Sequence, residues 1–171
     1  MAAGVNDRSG AKGAALLRLL AEDQDDLAVL AACLQDAVAV KSDMIFQPRQ
    51  RRFAMVVNRY RWEQRQDGRR AGRRGQRIRC GVHFDDVTAV EVHGIDQQDP
   101  AQVLELLTIA AEPNPEGGAT IGLLFAGGPM IRLQVGGIAC QLADMGAPWD
   151  TPLKPRHGVA PAPTTERGRK S

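Results

Sequence analysis

The sequence predicts an α+β domain whose mainly antiparallel sheet is either strongly bent or divided into a two-sheet sandwich of about seven strands. Three observations carry this. Short apolar runs recur along the chain, several alternating with polar residues at period 2, and Gly-, Pro- or Asp-rich turns separate them. Only one early stretch carries a long helical stripe. No strand–helix–strand alternation of the kind that builds parallel sheets is present. With 171 residues, 43% of them hydrophobic, the chain can bury one core but hardly two.

The ends are expected to be disordered. Residues 1–13 are small and polar, and 150–171 place Pro152, Pro155, Pro161 and Pro163 among Thr, Gly and basic residues, leaving 14–149 as the folded domain. Residues 16–20 read as a first strand. Asp23 is placed to cap a helix over 23–37, with Asp25 and Asp26 in its first turn, where the helix dipole favours acids. Leu27, Leu30, Ala31 and Leu34 fall at i, i+3, i+4 and i+7 and form its buried stripe. Residues 38–46 make a second strand before the turn at Pro48. Residues 53–62 are rich in strand formers, with one face passing from Phe53, Met55 and Val57 to Arg59 and Arg61, from buried to wet. A polar loop over 64–75 leads to residues 78–84, where Ile78, Cys80, Val82 and Phe84 alternate with polar or small residues. Asp85-Asp86 breaks the pattern, 87–95 continues extended, and 103–111 is a further strand.

Residues 119–135 form a hairpin about Gly127-Gly128, a pair able to take positive φ at both turn positions. A two-residue loop there sets Leu124 opposite Ile131 and Phe125 opposite Met130. The first arm is apolar on both faces, which predicts a central strand with packing on each side. After Gly136-Gly137, the spacing of Ile138, Leu142 and Met145 predicts a second helix over 137–145, capping the sheet and stopped by Gly146. The expected core holds Leu27, Leu30, Leu34, Val82, Phe84, Leu124, Ile131, Leu133 and Leu142.

The early apolar run over 14–20 is interrupted by Arg18, too short to span a membrane, and lacks a signal-peptide cleavage site. Three separated cysteines in apolar surroundings fit buried thiols of a reducing compartment, so the expected address is the cytoplasm. Cys80 and His83 have opposite parity on one strand and do not converge on a metal. No nucleophile elbow and no phosphate-binding glycine loop is present, and the adjacent acids Asp85 and Asp86 point apart on a strand. Catalysis, a metal and a cofactor are therefore all without support.

Charge is the one strong asymmetry. Twelve arginines and two acids lie between Arg49 and Arg79, a net of +10, while the rest of the chain sums to −8. Arg59 and Arg61 end one strand, Arg77 and Arg79 begin the next, and Arg69, Arg70, Arg73 and Arg74 sit on the loop between. Guanidinium groups suit bidentate phosphate or carboxylate contacts, which points to a binding or adaptor module with RNA or an acidic protein as its anionic partner. The competing readings are a loop that only solubilises the chain or pairs with its own acids, and a small enzyme or ligand-binding protein whose site is not visible in the sequence. Tyr60 and Trp62 lie close enough to stack bases, although their parity assigns them to the other face.

Taken together, LQDAV at 34–38, RRFAMVVNRYRWE at 51–63, GVHFDDVTAV at 81–90, AGGPMIRL at 126–133 and the pattern QLADMG–PW–T–KP–H resemble a family of short bacterial proteins known as domain of unknown function 2948. Pro129 departs from the small residue expected there. The resemblance implies a bacterial cytoplasmic protein and gives no residue a role. The expected architecture is also similar to the pleckstrin-homology superfold, a likeness that carries no function with it.

Overall fold

A computed structural model describes residues 15–65 and 75–152. These form one nine-stranded antiparallel sheet, not a two-sheet sandwich of seven strands. The strands are β1 (Arg18–Ala21), β2 (Val38–Gln47), β3 (Arg52–Tyr60), β4 (Gly75–Phe84), β5 (Val87–His93), β6 (Val103–Pro113), β7 (Ala119–Phe125), β8 (Met130–Val135) and β9 (Cys140–Thr151). Their order across the sheet is β1-β9-β4-β3-β2-β6-β7-β8-β5. Among the described residues the single α-helix is α1 (Gln24–Leu34).

The expected capping helix over 137–145 is absent; residues 140–145 belong to β9, 137–139 lead into it, and the pleckstrin-homology likeness falls with the helix. Ile138, Leu142 and Met145 satisfy helical spacing, but Cys140, Leu142 and Asp144 also alternate with Gln141, Ala143 and Met145. A short run of this kind is ambiguous by periodicity alone. Tertiary pairing decides it, because β4 needs a second neighbour and β9 supplies one along its whole length, from Phe84↔Cys140 to Gly75↔Thr151. Gly146, at φ 71°, lies within a bulge of β9 rather than ending a helix.

Helix α1 starts as its sequence demands. The Asp23 carboxylate accepts from Asp26 N at 2.8 Å, and Leu27, Leu30, Ala31 and Leu34 are buried against β6, with β1 and β3 alongside. The two halves of the sheet join through the pairs Val38↔Glu105, Ala39↔Leu104 and Val40↔Val103, flanked by backbone bonds from Asp36 N to Leu106 O and from Lys41 N to Gln102 O. The far end then curls back: Val87 N donates to Arg51 O at 2.9 Å, Gly136 N to Asp86 O at 3.1 Å and Asp85 N to Ala139 O at 2.8 Å. One continuous core results, shared by strands from both ends of the sheet.

The β7–β8 hairpin is one residue out of the expected register. Leu123 faces Ile131 and Leu124 faces Met130, around a three-residue loop of Ala126, Gly127 and Gly128. The cause is Pro129. A two-residue loop would close with a hydrogen bond from residue 129 to Ala126 O, and proline has no N–H to give. The turn closes instead through Gly128 N to Phe125 O at 3.2 Å and Phe125 N to Pro129 O at 2.9 Å, with φ of 87° at Gly127 and 106° at Gly128. A one-residue slip reverses every side chain. Leu124 therefore points outward at 37% exposure, whereas the other eight expected core residues are buried. The outer face of β7, at Gly122 and Leu124, is open rather than covered.

Candidate nucleic-acid interface

Strand pairing at the arginine-bearing end of the sheet is closely specified. Arg59 pairs with Ile78, Tyr60 with Arg77 and Asn58 with Arg79 between β3 and β4, while Arg77 pairs with Trp149 and Arg79 with Met145 between β4 and β9. Alternation along β4 buries Ile78 and Cys80, leaving Arg77 and Arg79 on the outer face.

Arg59 takes the opposite, inner face and is fully buried rather than wet. Its guanidinium forms two bidentate forks. Nε and Nη2 donate to the Asp144 carboxylate, both at 2.7 Å, and Nη1 and Nη2 donate to Glu63 at 3.0 and 2.8 Å. Asp144 is itself fully buried and accepts a further bond from Leu17 N at 2.9 Å, which fastens the start of β1. Burial disfavours the charged form of Arg59, but its hydrogen bonds to both carboxylates outweigh this and raise its pKa further. Arg61 is also buried, with Nη1 on Gln76 Oε1 at 2.8 Å and Nη2 on Ala15 O at 3.4 Å. Its nearest carboxylate oxygen, on Glu63, is 3.7 Å from Nε.

Burial works to raise the Glu63 carboxyl, and its bonds to Arg59, its own backbone N–H and the charge of Arg61 overcome this to hold it below its ordinary value of 4.5. A depressed carboxyl stabilises the fold above its unfolded pKa and loses that contribution as pH falls through the folded value. Urea titrations should therefore show stability declining below about pH 4.5, and Glu63→Gln should decline less steeply. Parallel acid profiles for the two proteins would remove Glu63 from this role.

Other members of the arginine block are also engaged internally. Arg51 bonds to Asp86 and Arg52 Nε to Asp85 at 2.7 Å. Arg77 Nη1 donates to Asp36 O and Asn58 O, each at 3.2 Å, with its guanidinium 6.0 Å from the centre of the Tyr60 ring. Arg79 differs. It is exposed and makes no ion pair or side-chain hydrogen bond with any other described residue. Arg69, Arg70, Arg73 and Arg74 lie outside the described residues.

The aromatic residues of this end are packed as a unit. Tyr60 and Trp62 approach to 4.6 Å between ring centres, and Trp62 Nε1 donates to Gln35 O at 3.1 Å. Gly75 lies under the Tyr60 ring, where a Cβ would stand 2.2 Å from the phenolic oxygen, so only glycine admits this approach. Together with Trp149, 40% exposed, the site gathers both tryptophans and the only tyrosine of the chain. Trp149 and Met145 are the site residues that the sequence reading missed. The helix assigned to 137–145 hid their alternation, and the signal that could have found them is the extended run after Gly146.

A family model for proteins of unknown function, DUF2948, matches residues 17–157, most of the chain. The chain belongs to the DUF2948 family. No curated protein and no solved structure matches it. In this DUF2948 chain no described helix is long and apolar enough to cross a membrane, and no three described His, Cys, Asp or Glu side chains are grouped to hold a metal. Burial pushes the Cys80 thiol up to about 12 and raises Cys140 and Cys33 as well, the reverse of an activated nucleophile. The outer face of β6, β7 and β8 bears a shallow depression of about 360 Å³, floored by Ala110 and Gly122 and edged by Leu124, Met130, Glu112 and Arg132. The Thr120 hydroxyl in its lining is engaged by Asn114 Oδ1 at 2.8 Å and Gln134 Oε1 at 2.9 Å.

Proposed function

We propose that this DUF2948 chain is a small binding module whose β3–β4 arginine hairpin contacts RNA. The observation that carries the reading is Arg79, exposed and without a partner among the described residues, on the outer face where Trp149 is also accessible. The loop arginines Arg69, Arg70, Arg73 and Arg74 lie in sequence between the same two strands. Arg51, Arg52 and Arg59 are satisfied by Asp86, Asp85 and Asp144 and supply no contact. An acidic protein would use the guanidinium groups alone, whereas RNA would use the guanidinium groups and the aromatic surface together.

The test is retention on heparin and RNA at low salt. Each phosphate neutralised releases counterions, so log affinity should fall with log salt at roughly −0.7 to −0.9 per phosphate. Replacing Arg69, Arg70, Arg73 and Arg74 with Ser should flatten that slope. Wild-type protein that binds neither heparin nor RNA at low salt overturns the proposal. Salt-sensitive capture of an acidic protein without RNA retention would transfer the hairpin to the other class of partner.

A further inference from the structure

We infer that Trp149 is a base-stacking platform for single-stranded RNA, with Arg79 beside it placed to meet the adjoining phosphate; this rests on the RNA reading above and specifies its subsite. Tryptophan carries a large apolar surface that folding normally buries, together with an N–H that normally finds a partner. Trp149 does neither. It is 40% exposed and makes no hydrogen bond or ring contact with any other described residue.

The backbone around it is shaped to present it. Between the pairs Arg79↔Met145 and Arg77↔Trp149, β4 has the single residue Ile78, while β9 has Gly146, Ala147 and Pro148. Two additional residues therefore bulge out of β9, and Gly146 at φ 71° makes the turn. Bulges re-aim the side chains that follow them, and this one immediately precedes the indole. Its base is rigid: Arg77, directly across from Trp149, is held by two backbone carbonyls and backed by the Tyr60–Trp62 pair. Met145, 38% exposed, widens the apolar surface beside Arg79. Asp150, the acid adjacent to Trp149 in sequence, is engaged by Gln76 Nε2 at 3.1 Å.

An exposed indole with a free guanidinium one strand away matches an unpaired nucleotide, whose base offers a π face and whose backbone offers a phosphate. A duplex keeps its bases stacked on one another and leaves the indole unused. The carboxylates of an acidic surface pair with guanidinium groups and offer the indole face nothing to stack on.

The full chain should be titrated at fixed low salt with an unstructured RNA oligonucleotide, with an RNA duplex of equal length and with heparin. Stacking is worth about 1–3 kcal/mol per base, so Trp149→Ala should weaken the single strand by roughly 5- to 150-fold and leave heparin affinity and the salt slope unchanged. Trp149→Phe, which keeps an aromatic face, should recover most of the loss and protects the test against misfolding of the alanine variant. In a Trp62→Phe background Trp149 is the sole indole, and its fluorescence should be quenched by the single strand but not by heparin. Unchanged single-strand affinity in Trp149→Ala, or an unquenched indole, overturns the stacking inference while the arginine hairpin reading survives. Wild-type binding to heparin without binding to RNA overturns both.

Discussion

Asp144→Ala should be the most destabilising of the substitutions considered, lowering the free energy of unfolding by about 3–5 kcal/mol in urea. The carboxylate it removes is fully buried, takes two 2.7 Å bonds from Arg59 and accepts Leu17 N. Without it the buried guanidinium retains Glu63, whose side chain is 40% exposed, and a 3.3 Å bond to Tyr60 O, while the Leu17 N–H is orphaned. A charge left inside without its partner costs more than the pair ever contributed, because the desolvation penalty remains after the attraction is gone. It follows that the double replacement Arg59→Leu with Asp144→Leu should recover much of the loss. If Asp144→Ala shifts the unfolding free energy by under about 1 kcal/mol, the pair does not hold the β3–β4–β9 end together.

Leu133→Ala should cost about 2–5 kcal/mol, since Leu133 is fully buried and faces Ile121 and Val90 on the neighbouring strands. Leu124→Ala, nine positions earlier in the same hairpin, should cost less than about 1 kcal/mol, because the slip at Pro129 turns that side chain outward. The pair of measurements reads the register directly. Comparable losses at the two positions would mean that Leu124 is packed and the three-residue loop is wrong.

What was legible in the sequence was local. Helix α1 could be read because Asp23 and its leucine stripe lie within a dozen residues and need no distant partner to make sense. The β4 strand was legible for the same reason, through its strict alternation. Strand β9 was not, because its run satisfies two periods equally and the deciding partner, β4, is some sixty residues upstream. That misreading had a second effect. With Asp144 assigned to a surface helix, nothing in the chain could explain an arginine on the buried face of β3, so Arg59 was expected to reach solvent. The true arrangement requires both facts at once, since Asp144 is inward only as a strand residue and Arg59 is tolerable inward only beside Asp144. The hairpin slip has a different origin: Gly127-Gly128 favours a two-residue loop locally, and the N–H that Pro129 lacks rules that loop out. Of the candidate site, Arg79 and its neighbours on β4 were visible in the sequence. Trp149 was not, since its exposure follows from a bulge that only the β4–β9 register reveals.

The fastening of β1 to β9 has a consequence for the order in which the protein can be made. Leu17 and Asp144 are 127 positions apart in the chain, yet among the described strands the first finds its only sheet neighbour in the last. During synthesis β1 emerges first and has no neighbour until β9 has left the ribosome, so the sheet cannot close along one side while the chain is still growing. Over that interval β1 and one edge of β4 stay unpaired, and Arg59 has no Asp144. Pairing over such sequence distances is slow to form, and unpaired strand edges invite association with other chains. The sheet should therefore close in one late event, in which β9 enters between β4 and β1.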